Sequence, residues 1–107
     1  MKKNEPFFRY VDFANGKATC YCVPKFEEGG DKPTSLEVRF ARCAPTDQFN
    51  RKIGRSIAEG RYKKYGPSFV LAPYPEEEKL YDDLHEGIFQ ATFVGEYVDS
   101  VSVIDRV

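Results

Sequence analysis

Tryptophan is missing from this chain, histidine and methionine occur once each, and cysteine three times. Three thiols are an odd count and a poor basis for a disulfide framework, so the small secreted scaffold class is set aside and a cytoplasmic setting is expected. Nowhere do 18 apolar residues follow one another, and no membrane span is expected. The first residues, MKKNEPFFRYVDF, lack the apolar run and small-residue cleavage site of a signal peptide. No Gly-x-Ser-x-Gly, Walker loop, HExxH or dinucleotide fingerprint occurs, and with no nucleophile beside a recognisable base the chain is not expected to be an enzyme. Net charge is also lacking: the formal value of -1 makes the whole chain neither a polycation nor a polyanion. An electrostatic function must therefore come from local segregation of charge.

What is present is the balance of an ordinary globular domain. With 107 residues there is room for one core, and 41% hydrophobic against 31% charged residues argues against disorder. Nine Phe and seven Tyr let a small chain bury much apolar area per residue.

Residues 7–13 and 17–23 are rich in aromatic and β-branched side chains and flank Asn15-Gly16, a dipeptide suited to a type I′ turn. An opening β-hairpin is expected. Residues 24–35, with Gly29-Gly30 and two prolines, read as a loop. Leu36, Val38 and Phe40 alternate with Glu37, Arg39 and Ala41 in a half-buried strand ending near Cys43.

A helix is predicted over 46–60, with Thr46 as N-cap, Asp47 at the positive dipole end and Gly60 as terminator. Phe49, Ile53 and Ile57 form one apolar stripe, and Gln48, Arg51, Lys52 and Arg55 fall opposite. Gly54, interior to this helix, reads as a site of close packing. Further on, 67–72 suggests a short strand, 76–85 a short acidic helix with Leu80 and Leu84 inward, and 88–94 and 97–104 two strands about a turn at Gly95-Glu96. The sum is an α+β single domain, 1–107: mostly antiparallel sheet with one principal amphipathic helix and one short acidic one.

Two segments carry opposite charge. Arg51, Lys52, Arg55, Arg61, Lys63 and Lys64 face Glu59 as their single acid, while Glu76, Glu77, Glu78, Asp82, Asp83 and Glu86 have Lys79 as their single base. The basic run suits a nucleic acid: Arg51 and Arg55 lie one turn apart, and Tyr62 and Tyr65 flank Lys63-Lys64 where they could stack on bases. The acidic run suits a mimic of the phosphate chain that occupies a host protein's nucleic-acid channel. The bland alternatives are two solvated helix faces, or mutual neutralisation within the chain.

Other chemistry is weaker. Cys20, Cys22 and Cys43 with His85 would make a Cys₃His zinc set, but C-x-C within a strand is not a knuckle spacing. Alternation instead puts Ala18, Cys20 and Cys22 on one sheet face as small hydrophobes. His85 reads as a cap on the last carbonyls of its helix rather than as a base. No cofactor is expected.

In PTDQFNRKIGRSIAEGR the order is a strand ending in Cys43, then D-Q-F-x-R-K-I-G-R, then a Gly-Arg close at Gly60-Arg61. This pattern, about residues 43–61, resembles small uncharacterised proteins of bacteriophages and mobile elements. The resemblance covers about a fifth of the chain. It implies an accessory protein of early infection, a class that includes anti-CRISPR and other anti-defence inhibitors and small nucleic-acid-binding factors, working in the host cytoplasm. It carries over no catalytic residue. The implied partner is a nucleic acid, a host nucleoprotein or a defence complex, and edge strands leave room for a homodimer.

Overall fold

The computed structural model describes residues 5–14, 16–43, 50–94 and 102–105. The elements run β1 (Phe7–Phe13), β2 (Gly16–Phe26), β3 (Pro33–Cys43), α1 (Arg51–Tyr65), β4 (Phe69–Ala72), α2 (Glu77–Val94) and β5 (Ser102–Asp105). The strands form one sheet in sequence order, antiparallel from β1 to β4, with β5 added parallel to β4. The α+β class is the one expected.

Period-2 alternation sorts the sheet into two unlike faces. The register aligns Phe7 with Cys22 and Val38, Val11 with Ala18, and Leu36 with Leu71. These residues, with Cys20, Phe40 and Phe69, make the apolar face. The other face aligns Phe8 with Tyr21 and Arg39, and Tyr10 with Thr19 and Ala41. It is aromatic and polar rather than aliphatic.

Helix α2 covers the apolar face. Leu80, Leu84, Ile88 and Ala91 recur at helical spacing and are buried against it. Gly87 lets the helix down onto the sheet: a β-carbon there would lie 2.4 Å from the Phe69 ring. This packing overrides the sequence reading of 76–85 as helix and 88–94 as strand. IFQATFV has the composition of a strand, but its Ile88 and Ala91 continue the stripe begun by Leu80 and Leu84, and one helix runs through to Val94. His85 is consequently interior to α2 and caps nothing; its ring stacks on Phe13 with centroids 4.3 Å apart. Tyr81, a turn earlier, accepts the Asp12 backbone N–H at 3.0 Å and so covers part of the β1 edge.

The hairpin and the central strand lie where alternation puts them; Asn15 itself lies outside the described residues. The expected loop 24–35 is shorter, because β2 continues to Phe26 and β3 starts at Pro33, with Gly29 turning at φ +82°. Pro24 is tolerated because β1 ends opposite Cys22, leaving β2 a neighbour on one side only. β4 begins two residues inside the expected strand 67–72. β5 matches the end of the expected 97–104 strand, and the turn at Gly95-Glu96 lies outside the described residues.

Two glycine substitutions separate packing from propensity. Gly87→Ala, forced against the Phe69 ring, should cost about 1–3 kcal/mol. Gly60→Ala, with nothing within 4 Å of its β-carbon position, should gain about 0.5–1 kcal/mol. Urea unfolding of the two variants checks both signs.

Candidate nucleic-acid interface

Helix α1 starts four residues later than Thr46 would start it. Asn50 is the N-cap, its side-chain Oδ1 accepting the Ile53 N–H at 3.2 Å. Gly60 does not end the helix either. Gly66 does, at φ +84°, its N–H donating to Tyr62 O at 2.7 Å. Arg39, buried in β3, fastens this exit: Nε donates to Gly66 O at 2.8 Å and a guanidinium nitrogen to Pro67 O at 3.4 Å. Tyr62, Lys63, Lys64 and Tyr65 are therefore helical residues, not part of a turn beyond the helix. Residues 46–49 of the predicted helix, Phe49 among them, lie outside the described residues.

The rotation of α1 is the main correction. The helix lies on the aromatic face against β2 and β3, and its contact residues are Gly54, Ala58 and Tyr62. A β-carbon on Gly54 would fall 2.4 Å from Thr19 Oγ1, so the close-packing reading of that glycine holds. Ile53 and Ile57, expected to face the core, are 57% and 40% exposed. The side opposite them, which carries Arg51 and Arg55, is the one turned to the sheet. The Arg51 guanidinium lies 4.5 Å from the Tyr10 ring centroid, and Arg55 donates to Tyr10 Oη at 2.9 Å and lies 6.0 Å from the Phe8 ring. A face made of rings and hydroxyls receives guanidinium groups readily, because each keeps a π-face or an acceptor while its head stays at the rim.

The basic residues consequently do not form one continuous stripe. At 100° per residue, Arg55, Lys52 and Lys63 lie on the β1-side flank, Arg61 and Lys64 on the other, and Arg51 over Tyr10. Lys52, Arg61, Lys63 and Lys64 are exposed. Among the described residues, the carboxylate that reaches one of these cations is Glu59, 3.0 Å from Lys63; that bond, with the charge behind it, raises the lysine pKa. Lys64 leans over the Tyr65 ring at 5.2 Å.

Of the two tyrosines proposed as base-stacking platforms, Tyr65 is 46% exposed, whereas Tyr62 points inward. Tyr62 donates its hydroxyl to Glu37 Oε1 at 2.7 Å and meets Tyr21 edge-on at 5.3 Å. Burial, then the bond to Glu37, push its pKa well above the usual phenol value. The residues that sequence reasoning missed are the partners across the contact: Phe8, Tyr10, Tyr21 and Glu37. Their strand parity was readable, but not that a helix would land on that side.

The acidic segment sits on the far side of the sheet. Glu76, Glu77, Glu78, Asp82 and Glu86 are exposed and Asp83 is half-buried. Glu77 pairs with Arg9 at 3.1 Å, and Glu86 accepts from Gln90 at 2.7 Å. Cys20 and Cys22 lie in the core as expected of small hydrophobes; burial pushes the Cys20 thiol up to about 12 and Cys22 upward as well, away from reactivity. No group of three or more His, Cys, Asp or Glu among the described residues is placed to hold a metal, and no described helix is long and apolar enough to cross a membrane.

Comparison of the chain with family models, with curated proteins and with solved structures finds no match.

The Tyr62–Glu37 bond gives a pH test. A phenol whose pKa rises on folding stabilises the fold fully below the unfolded value of about 10, and loses that contribution as pH climbs through the folded value. Tyr62→Phe should lower stability by about 1 kcal/mol at pH 7, and the gap from the parent should narrow above about pH 10. Urea titrations across that range read the difference directly.

Proposed function

We propose that this chain is a non-enzymatic binding domain that engages nucleic acid, free or within a nucleoprotein, through the cations of α1. One observation carries the reading: the sheet stands between the basic and acidic helices. Mutual neutralisation, the reading that would cancel both segments, has no support among the described residues, where Glu77 of α2 pairs with Arg9 of β1 and the acid beside an α1 cation is Glu59 of α1 itself. With Lys52, Arg61 and Lys64 exposed and Arg51 held at the rim by Tyr10, α1 offers charges that an external polyanion can neutralise with counterion release. Half-buried Phe8 and Tyr10 lie beside Arg55 on the β1 flank, with Tyr21 against Phe8, a mixture of rings and cations of the kind that accepts unpaired bases. The resemblance of 43–61 to bacteriophage accessory proteins agrees with such a role in host cytoplasm.

A second reading has its own observation. Glu78, Asp82 and Glu86 recur every turn on the exposed side of α2, about 6 Å apart along the axis, and suit an anti-defence inhibitor that occupies a basic protein channel. Fluorescence anisotropy with labelled single strands and duplexes over a salt series tests the first reading. The logarithm of the affinity should fall linearly with log salt, and Arg51→Gln with Lys52→Gln should flatten the slope by about one unit per lost contact. If neither DNA nor RNA binds at low salt, and a host protein retained after nuclease treatment is lost on Asp82→Lys/Glu86→Lys, the second reading replaces the first.

A further inference from the structure

The rotation of α1 leaves Ile53 and Ile57 on the outside of the molecule, 57% and 40% exposed, one turn apart and followed by Gly60, Arg61 and Lys64. On the opposite face of the sheet, α2 presents Phe89, 57% exposed, preceded on the same side by Glu78, Asp82 and Glu86. The two outer surfaces are complementary in kind: aliphatic and basic on one, aromatic and acidic on the other. They are complementary in spacing as well. Lys64 follows Ile57 by seven residues and Ile53 by eleven; Phe89 follows Asp82 by seven and Glu78 by eleven. At 1.5 Å per residue these separations are about 10.5 and 16.5 Å on both helices. The order is reversed, apolar then charged along α1, charged then apolar along α2. An antiparallel pairing therefore brings Ile53 and Ile57 to Phe89 while Lys64 meets Asp82 and Glu78. Antiparallel alignment also sets opposite dipole ends together.

Within one chain the sheet keeps these surfaces apart, so their meeting requires two copies. We propose that the outer face of α1 docks on the outer face of α2 of a second copy, a head-to-tail contact between unlike surfaces. Such a contact leaves one unused surface at each end, so it propagates into chains or closes into a ring, unlike a two-fold homodimer. The near-zero net charge, -1, removes the long-range repulsion that would oppose it. The inference does not rest on nucleic-acid binding: the isoleucines and Phe89 carry it, and although Lys64 belongs to both surfaces, Arg51, Lys52 and Arg55 lie away from the contact.

Sedimentation velocity on the full chain tests it. The weight-average sedimentation coefficient should rise with concentration at low salt and fall back at high salt. Ile53→Ser/Ile57→Ser and Asp82→Lys/Phe89→Ser should each weaken association about tenfold or more while each variant stays folded, all four positions being exposed. Mixed together, the two variants should form a one-to-one dimer that grows no further, because each retains the surface the other has lost. Should one variant fail to fold, the exchange Lys64→Glu/Asp82→Lys in one chain should associate where Lys64→Glu alone does not. A parent protein that stays monomeric at every concentration in low salt overturns the proposal. So do association that survives both variants, variants that remain monomeric when mixed, and an exchange that restores nothing.

Discussion

A β-carbon on residue 54 would lie 2.4 Å from Thr19 Oγ1, and much of the molecule's surface follows from that closeness. Glycine at this position lets the α1 backbone approach β2, and Ala58, one turn on and fully buried, keeps the approach shallow. With the small residues of the helix against the sheet, its large aliphatic residues cannot be there too. They turn outward, and the residues flanking the small-residue seam, Arg55 and Tyr62, are laid against rings and a carboxylate. The contact is held by hydroxyls, π-faces and one buried arginine at the helix exit rather than by an aliphatic core. The aliphatic core lies on the other side of the sheet, under α2.

That division explains how a nearly neutral protein keeps its charges apart. A five-stranded sheet with a helix on each side holds the basic helix and the acidic helix beyond reach of one another. Coulomb attraction between them is weakened by distance and by solvent, and no ion pair among the described residues joins one helix to the other. Each is then available to a partner of opposite sign, whether a polyanion, a basic protein surface or the matching helix of another copy. Burial also pushes both core thiols and Tyr62 toward their neutral forms.

Much of this was legible in the sequence where a single periodicity decides the outcome. Alternation around Asn15-Gly16 specified the hairpin, Leu36-Val38-Phe40 specified the central strand, and Ala18-Cys20-Cys22 specified the thiols as core. The end of α2 was not legible, because IFQATFV favours a strand by composition and only the Phe69 ring beneath Gly87 settles it as helix. The rotation of α1 was misread for a related reason. Ile53 and Ile57 are the conspicuous stripe, and a stripe of isoleucines faces the core when the surface beneath is aliphatic. Here the aliphatic face was already taken by Leu80, Leu84, Ile88 and Ala91, and the inconspicuous Gly54–Ala58 pair set the contact. The charge runs were legible as runs, while their separation by a sheet depends on which face each helix covers.

The central claim is the orientation of α1, small residues inward and isoleucines outward, and a pair of substitutions in adjacent positions tests it most directly. Denaturant unfolding should find Ala58→Leu destabilised by about 1–3 kcal/mol, through overpacking against the sheet. Ile57→Ala should change stability by less than about 1 kcal/mol, as at an exposed helical position. The reverse order, a tolerated leucine at 58 and a costly alanine at 57, would contradict the account.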